Sequence, residues 1–222
     1  MNHVTKTSQH TRASIATYTG VEFFPLAPRY EDIYVADLAH ALANTCRYNG
    51  HTFKHYSVAQ HCVLVSKFLE TIEPQHITPG LHERLRHPEG KPVWDPIEVQ
   101  KWGLLHDASE AYVSDICAPI KPFIQGYEAI EDQLLIAVAQ RFDLPWPFPD
   151  VVKYADKAIF RSEVESSVIR QVDWWVIHPE HPNAGTKIDP WPAEMAESMY
   201  LGRFEELFGK EVLSATCWPP KS

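Results

Sequence analysis

The sequence predicts an all-α protein, one helical bundle interrupted by two proline-rich loop insertions. Three observations lead there. Apolar residues recur at helical spacing, as in Val35, Leu38, Ala39 and Leu42, or in Val58, Cys62, Val65 and Leu69. No segment alternates apolar and polar residues long enough to read as a strand. Prolines and glycines gather in two stretches, 74–96 and 178–192, which read as excursions from the bundle. A length of 222 residues suits a single domain. Residues 1–17 read as a flexible leader and 18–222 as the helical domain.

The elements follow in order. A first helix is expected over 33–45. Ser57 then offers a hydroxyl to the exposed N–H groups of a new helix, which must stop before Pro74. Helix returns at Ile97 and runs through LLHDASEAYV toward Pro119. Further helices are expected over 127–142, 149–172 and 193–208. There are no repeats and no glycine-rich phosphate loop.

Composition excludes several functions. The chain carries 29 acidic and 20 basic residues, a net charge of -9, with no clustered Lys and Arg. Polymeric nucleic acid is therefore not the expected partner. The polar start MNHVTKTSQHTRAS lacks a signal-peptide core, and no stretch approaches the roughly 20 apolar residues of a membrane span. A soluble cytoplasmic protein with no membrane partner is expected. Cys46, Cys62, Cys117 and Cys217 form no CxxC pair, which argues for idle thiols. The last helix and the Trp174-Trp175 pair offer apolar surface for a homo-oligomer.

The chemistry gathers around His106-Asp107. In an α-helix His106 and Glu110 stand four apart and Asp107 and Glu110 three apart, so their side chains neighbour one another. An imidazole and two carboxylates in a largely apolar helix need compensation, which a divalent cation supplies. The alternative is a solvated polar face. His61 sits among Val58, Cys62, Val63, Leu64 and Val65, and taken alone reads as a packed core histidine rather than a ligand. Asp156, in VVKYADKAIF, taken alone reads as a surface or ion-paired carboxylate. Together they run His61, His106-Asp107, Asp156 at gaps of 45 and 49 residues, each about one helix and a connection. Three facing bundle helices could thus aim at one point. Two imidazoles and two carboxylates suit Mn, Co, Fe, Zn or Ni.

The pattern H…HD…D, with LLHDASEAYVSDICAPIK, resembles the HD-domain phosphohydrolases, and most of all their bacterial 5′-deoxynucleotidases. The resemblance covers roughly residues 33–170 and rests on Ser57-Val58-Ala59-Gln60-His61, Leu105 to Glu110, Asp115, and Pro119-Ile120-Lys121. It implies an HD-type bundle with His61, His106, Asp107 and Asp156 as metal ligands, the ion being Co, Mn, Zn, Fe, Ni or Mg. It implies Glu110 as the acid or base near the attacking water. Asp115 would contact the substrate, as at its sugar, and Arg47 would also contact the substrate; Lys121 could meet phosphate or stand solvated. The implied activity is hydrolysis of nucleotides, foremost deoxynucleoside 5′-monophosphates to nucleoside and phosphate. The alternatives are a dNTP triphosphohydrolase and an inactive nucleotide-binding regulatory module. His82, Arg84, Arg86, His87 and Lys91 could serve a triphosphate tail or stand solvated. His51 and His55 read as loop surface, Trp102 as packing, and Tyr112 as a side chain that could reach a base.

Overall fold

The structure, a computed structural model, describes residues 13–72, 95–170 and 182–220. Within them the protein is all-α apart from one minimal hairpin. The helices are α1 (Val35–Asn44), α2 (Val58–Thr71), α3 (Pro96–Leu105), α4 (Glu110–Val113), α5 (Tyr127–Arg141), α6 (Asp150–Glu165), α7 (Ala193–Phe208) and α8 (Lys210–Thr216). Strands β1 (Ile15–Ala16) and β2 (Glu22–Phe23) pair antiparallel. No described helix is long and apolar enough to cross a membrane.

Local sequence sets these boundaries. Ser57 caps α2 by accepting from Gln60 N at 3.1 Å. Asp95 caps α3 by accepting from Ile97 N and Glu98 N, with Pro96 at the first helical position, where its missing N–H costs nothing. Gly209, at φ 87°, turns α7 into α8, a conformation that only glycine adopts without strain.

Helix α2 is the centre of the bundle and packs on α1, α3, α6 and α7. Its closest partner is α3. At Gly103 a β-carbon would lie 2.5 Å from Leu69 Cδ1 and 2.9 Å from Ser66 Cα, so glycine is what lets the two helices touch. The fully buried Trp102, Tyr56, Phe23, Tyr200, Phe204 and Leu38 fill the space around them. One buried polar knot ties α2, α3 and α7. Arg203, 3% exposed, donates to Ser66 Oγ at 3.0 Å and Gln100 Oε1 at 2.9 Å. A charge so buried needs this full set of acceptors.

The sequence reading needs correction in places. Residues 13–17 are not leader: β1 lies among them, and the following Thr19 donates through N and Oγ1 to buried Asp37 at 2.7 and 2.9 Å. The helix expected from Ile97 toward Pro119 is two helices joined by a turn at 106–109. The helix expected over 149–172 ends at Glu165, where Ser167 turns to φ 58° and Ser166 Oγ accepts from Ile188 N. Helix α8 and the hairpin had no sequence signal. Of the second insertion, residues 182–192 are described and are strapped to α2. Gln60 donates to Asp189 O and accepts from Trp191 N. The 74–96 insertion, including His82, Arg84, Arg86, His87 and Lys91, lies outside the described residues except for its last two positions. Residues 1–12 and the Trp174-Trp175 pair also lie outside them.

Gly103→Ala tests the α2–α3 contact. The added methyl meets Ser66 backbone, which cannot step aside, so urea unfolding should show a loss of roughly 1–3 kcal/mol. Unchanged stability would mean that the two helices are not held at this spacing.

Candidate metal centre

Three elements bring the centre together. Helix α2 carries His61, the α3–α4 turn carries His106 and Asp107, and α6 carries Asp156. Ligand-type atoms of His61, His106 and Asp156 lie within 4.8 Å of one another. His61 Nε2 is 3.1 Å from Asp156 Oδ1 and 3.8 Å from Asp107 Oδ2, and His106 Nε2 is 3.2 Å from Asp107 Oδ2.

Both imidazoles are oriented from behind. A backbone carbonyl only accepts, so His106 Nδ1, 2.9 Å from Gly103 O, carries the proton. An uninterrupted α-helix would give that carbonyl to the Asp107 N–H. Tighter i→i−3 bonds follow, Ala108 N to Leu105 O and Glu110 N to Asp107 O. His61 Nδ1 lies 2.7 Å from Glu163 Oε1, which fixes its tautomer in the same sense. Both Nε2 atoms are thereby turned toward the carboxylates. Both are buried, and neither has a hydrogen-bond partner among the described residues. Two buried nitrogens aimed at two carboxylates without hydrogen-bond alignment fit a cation between them, ligated by neutral imidazole and carboxylate.

The charges around the centre are strongly biased. Burial pushes the Asp107 carboxyl up, but His106 beside it outweighs this and holds it below the usual range. Burial, with Asp107 and Asp115 nearby, pushes Glu110 well above the ordinary carboxylate range. Glu110 Oε2 is buried without a partner among the described residues, and its Oε1 lies 3.8 Å from Lys121 Nζ. Lys121 also bonds Glu131 at 2.9 Å. A cavity of about 560 Å³ opens over the centre, and Arg47, Asp107, Glu110, Asp115, Lys121 and Asp156 all line it. Six of the eight expected residues thus line one cavity, and His61 and His106 lie within ligand distance of Asp156.

The backbone explains how Arg47 reaches it. Arg47 N bonds Tyr56 O, and Val58 N bonds Thr45 O, so the chain before the turn runs beside the start of α2. Tyr48, Asn49 and Gly50 then take φ 56°, 51° and 79°. Left-handed backbone costs about 1–2 kcal/mol at a non-glycine residue. The turn delivers Arg47 and Tyr48 together onto Glu163: Arg47 Nη2 lies 3.3 Å from Oε2, and the Tyr48 hydroxyl donates to the same oxygen. Arg47 Nη1 is also 3.7 Å from Asp107 Oδ2.

Sequence reasoning missed two neighbours. Glu163 is fully buried; burial raises its carboxyl, yet Arg47 and His61 bring it down to about 2. Its signal was its place seven residues after Asp156, two turns along one helix face. Cys62, read as an idle thiol, has its sulfur within 4.8 Å of His106 and Asp107 ligand atoms. Burial pushes that thiol up to about 11. Other side chains lie elsewhere. Tyr112 is buried against Phe23, their ring centroids 3.9 Å apart, and does not line the cavity. His55 sits 2.9 Å from Ala43 O, and Trp102 is core.

No family model matches the chain. It is similar to YfdR, an uncharacterized protein of Escherichia coli K12, at 28% identity over 194 residues, 87% of this chain and 94% of that one. It is also similar to an uncharacterized protein of Rhodobacter capsulatus, at 37% identity over 136 residues, 60% of each chain.

Metal should stabilise the fold. At a Mn(II) or Co(II) concentration 100-fold above Kd, linkage adds about 2.7 kcal/mol to the metal-stripped protein. Thermal melts of stripped and reloaded protein read this directly. His106→Gln should melt at one temperature with or without metal; a metal-dependent rise equal to wild type would remove His106 from the ligand set.

Proposed function

We propose that the protein is a metal-dependent phosphohydrolase of nucleotides, cleaving deoxynucleoside 5′-monophosphates to nucleoside and phosphate. The observation that carries this reading is the pair of buried Nε2 atoms that face Asp156 and Asp107 at 3.1 and 3.2 Å, with a buried carboxyl of raised proton affinity, Glu110, beside them. When bound, a divalent cation neutralises phosphoryl charge and acidifies the attacking water. His61, His106, Asp107 and Asp156 would hold it.

The remaining residues divide the work. Glu110 takes a proton from the water as its oxygen attacks phosphorus, and returns it to the 5′ oxygen as the ester P–O bond breaks. Arg47 presents a guanidinium fork to non-bridging oxygens, and its Nε is still without a partner among the described residues. Lys121 adds a point charge. Asp115 accepts from a sugar hydroxyl. Tyr48 and Phe160 give the same cavity an aromatic wall for the rest of the nucleotide. Among the described residues the cavity brings three cations, Arg47, Lys121 and Lys157. That suits one phosphate group better than a triphosphate chain.

A phosphate-release screen tests the reading. Mono-, di- and triphosphates of the common ribo- and deoxynucleosides would be offered with Mn, Co, Mg or no metal. Deoxynucleoside monophosphates with metal should give the fastest release. Glu110→Gln should keep the metal and lose about 10²–10⁴ in kcat. Inactivity on every compound, or a full rate in Glu110→Gln, contradicts the proposal.

A further inference from the structure

Glu163 stands outside the ligand set, yet among the described residues no other carboxylate of the centre has so many partners. Its two oxygens are divided. Oε1 accepts from His61 Nδ1 at 2.7 Å and from the Tyr56 hydroxyl at 2.9 Å. Oε2 accepts from Arg47 Nη2 at 3.3 Å and from the Tyr48 hydroxyl. The residue is fully buried on α6, the helix that also supplies Asp156. A buried carboxylate is costly unless each lone pair is used, and here donors from α2, its preceding segment and the strained 47–50 turn use them.

We propose that Glu163 is the positioning residue that couples the metal centre to the phosphate-binding arginine. This rests on the metal-centre reading above. Through Oε1 it fixes the His61 ring and its tautomer, so that Nε2 presents a lone pair to the cation, and it raises the basicity of that nitrogen. Through Oε2 it sets the position of Arg47 and gives the left-handed turn at Tyr48 its reason. Tyr48 and Tyr56 complete the acceptor shell and hold the carboxylate still. One side chain thereby sets the spacing between cation and guanidinium, the two groups that must meet one phosphate.

The test is Co(II) titration of the stripped protein, read by visible d–d absorption, with inorganic phosphate as a second probe. Glu163→Gln keeps the shape and removes the charge. It should bind Co(II) about 10- to 100-fold more weakly, with a shifted band. The loaded variant should also need more phosphate than wild type to perturb that band. A Glu163→Gln protein that matches wild type in affinity and spectrum overturns the inference and leaves the metal centre standing. A wild type that binds no Co(II) overturns both. If circular dichroism shows Glu163→Gln unfolded, the double variant Tyr48→Phe/Tyr56→Phe decides. It leaves Glu163 in place with two donors gone, and should bind Co(II) several-fold more weakly; unchanged affinity and spectrum overturn the inference.

Discussion

His61 Nε2 and His106 Nε2 are buried, meet no aligned hydrogen-bond partner among the described residues, and face Asp156 at 3.1 Å and Asp107 at 3.2 Å. Leaving a buried polar atom unsatisfied costs about 1–3 kcal/mol. A fold accepts two such costs side by side only when something else meets both atoms. Helix α2, the α3–α4 turn and α6 bring those atoms together. Each contributes one or two of the atoms, and each is held by packing that does not depend on the centre itself.

The supporting devices lie behind the ligands. Gly103 performs two tasks: its missing β-carbon lets α3 lie against Ser66, and its carbonyl accepts a hydrogen bond from His106 Nδ1. The loss of that carbonyl from the helical ladder accompanies the break at 106–109, and the break places Asp107 and Glu110 differently from a straight helix. On the other side Glu163 answers for His61. The histidines are thus oriented by unlike acceptors, a backbone carbonyl and a buried carboxylate. Only the carboxylate reaches onward to Arg47.

Much of this was legible in the sequence. Helical periodicity, the Ser57 cap and the Ala193–Phe208 helix depend on local residues, and local residues were enough to read them. The eight candidate residues were named from their types, their spacing and a motif resemblance, and six of them line one cavity. What escaped depended on tertiary geometry. The break after Leu105 needs the His106–Gly103 bond, which no periodicity reports. The left-handed backbone at Tyr48 carries no signal, although Asn49-Gly50 after it is a turn dipeptide. Glu163 reads as one more charge on an amphipathic helix until its four donors, two hydroxyls, an imidazole and a guanidinium, are seen around it. Tyr112 escaped for a like reason: its ring stacks on Phe23 of the hairpin, a contact that only the tertiary fold provides.

The most direct test of the central claim is anomalous X-ray scattering from crystals grown with Mn(II), measured at the manganese edge. The account predicts one strong peak bounded by Nε2 of His61, Nε2 of His106, and the carboxylates of Asp107 and Asp156. A peak elsewhere, or waters satisfying both Nε2 atoms with no metal between them, would contradict it.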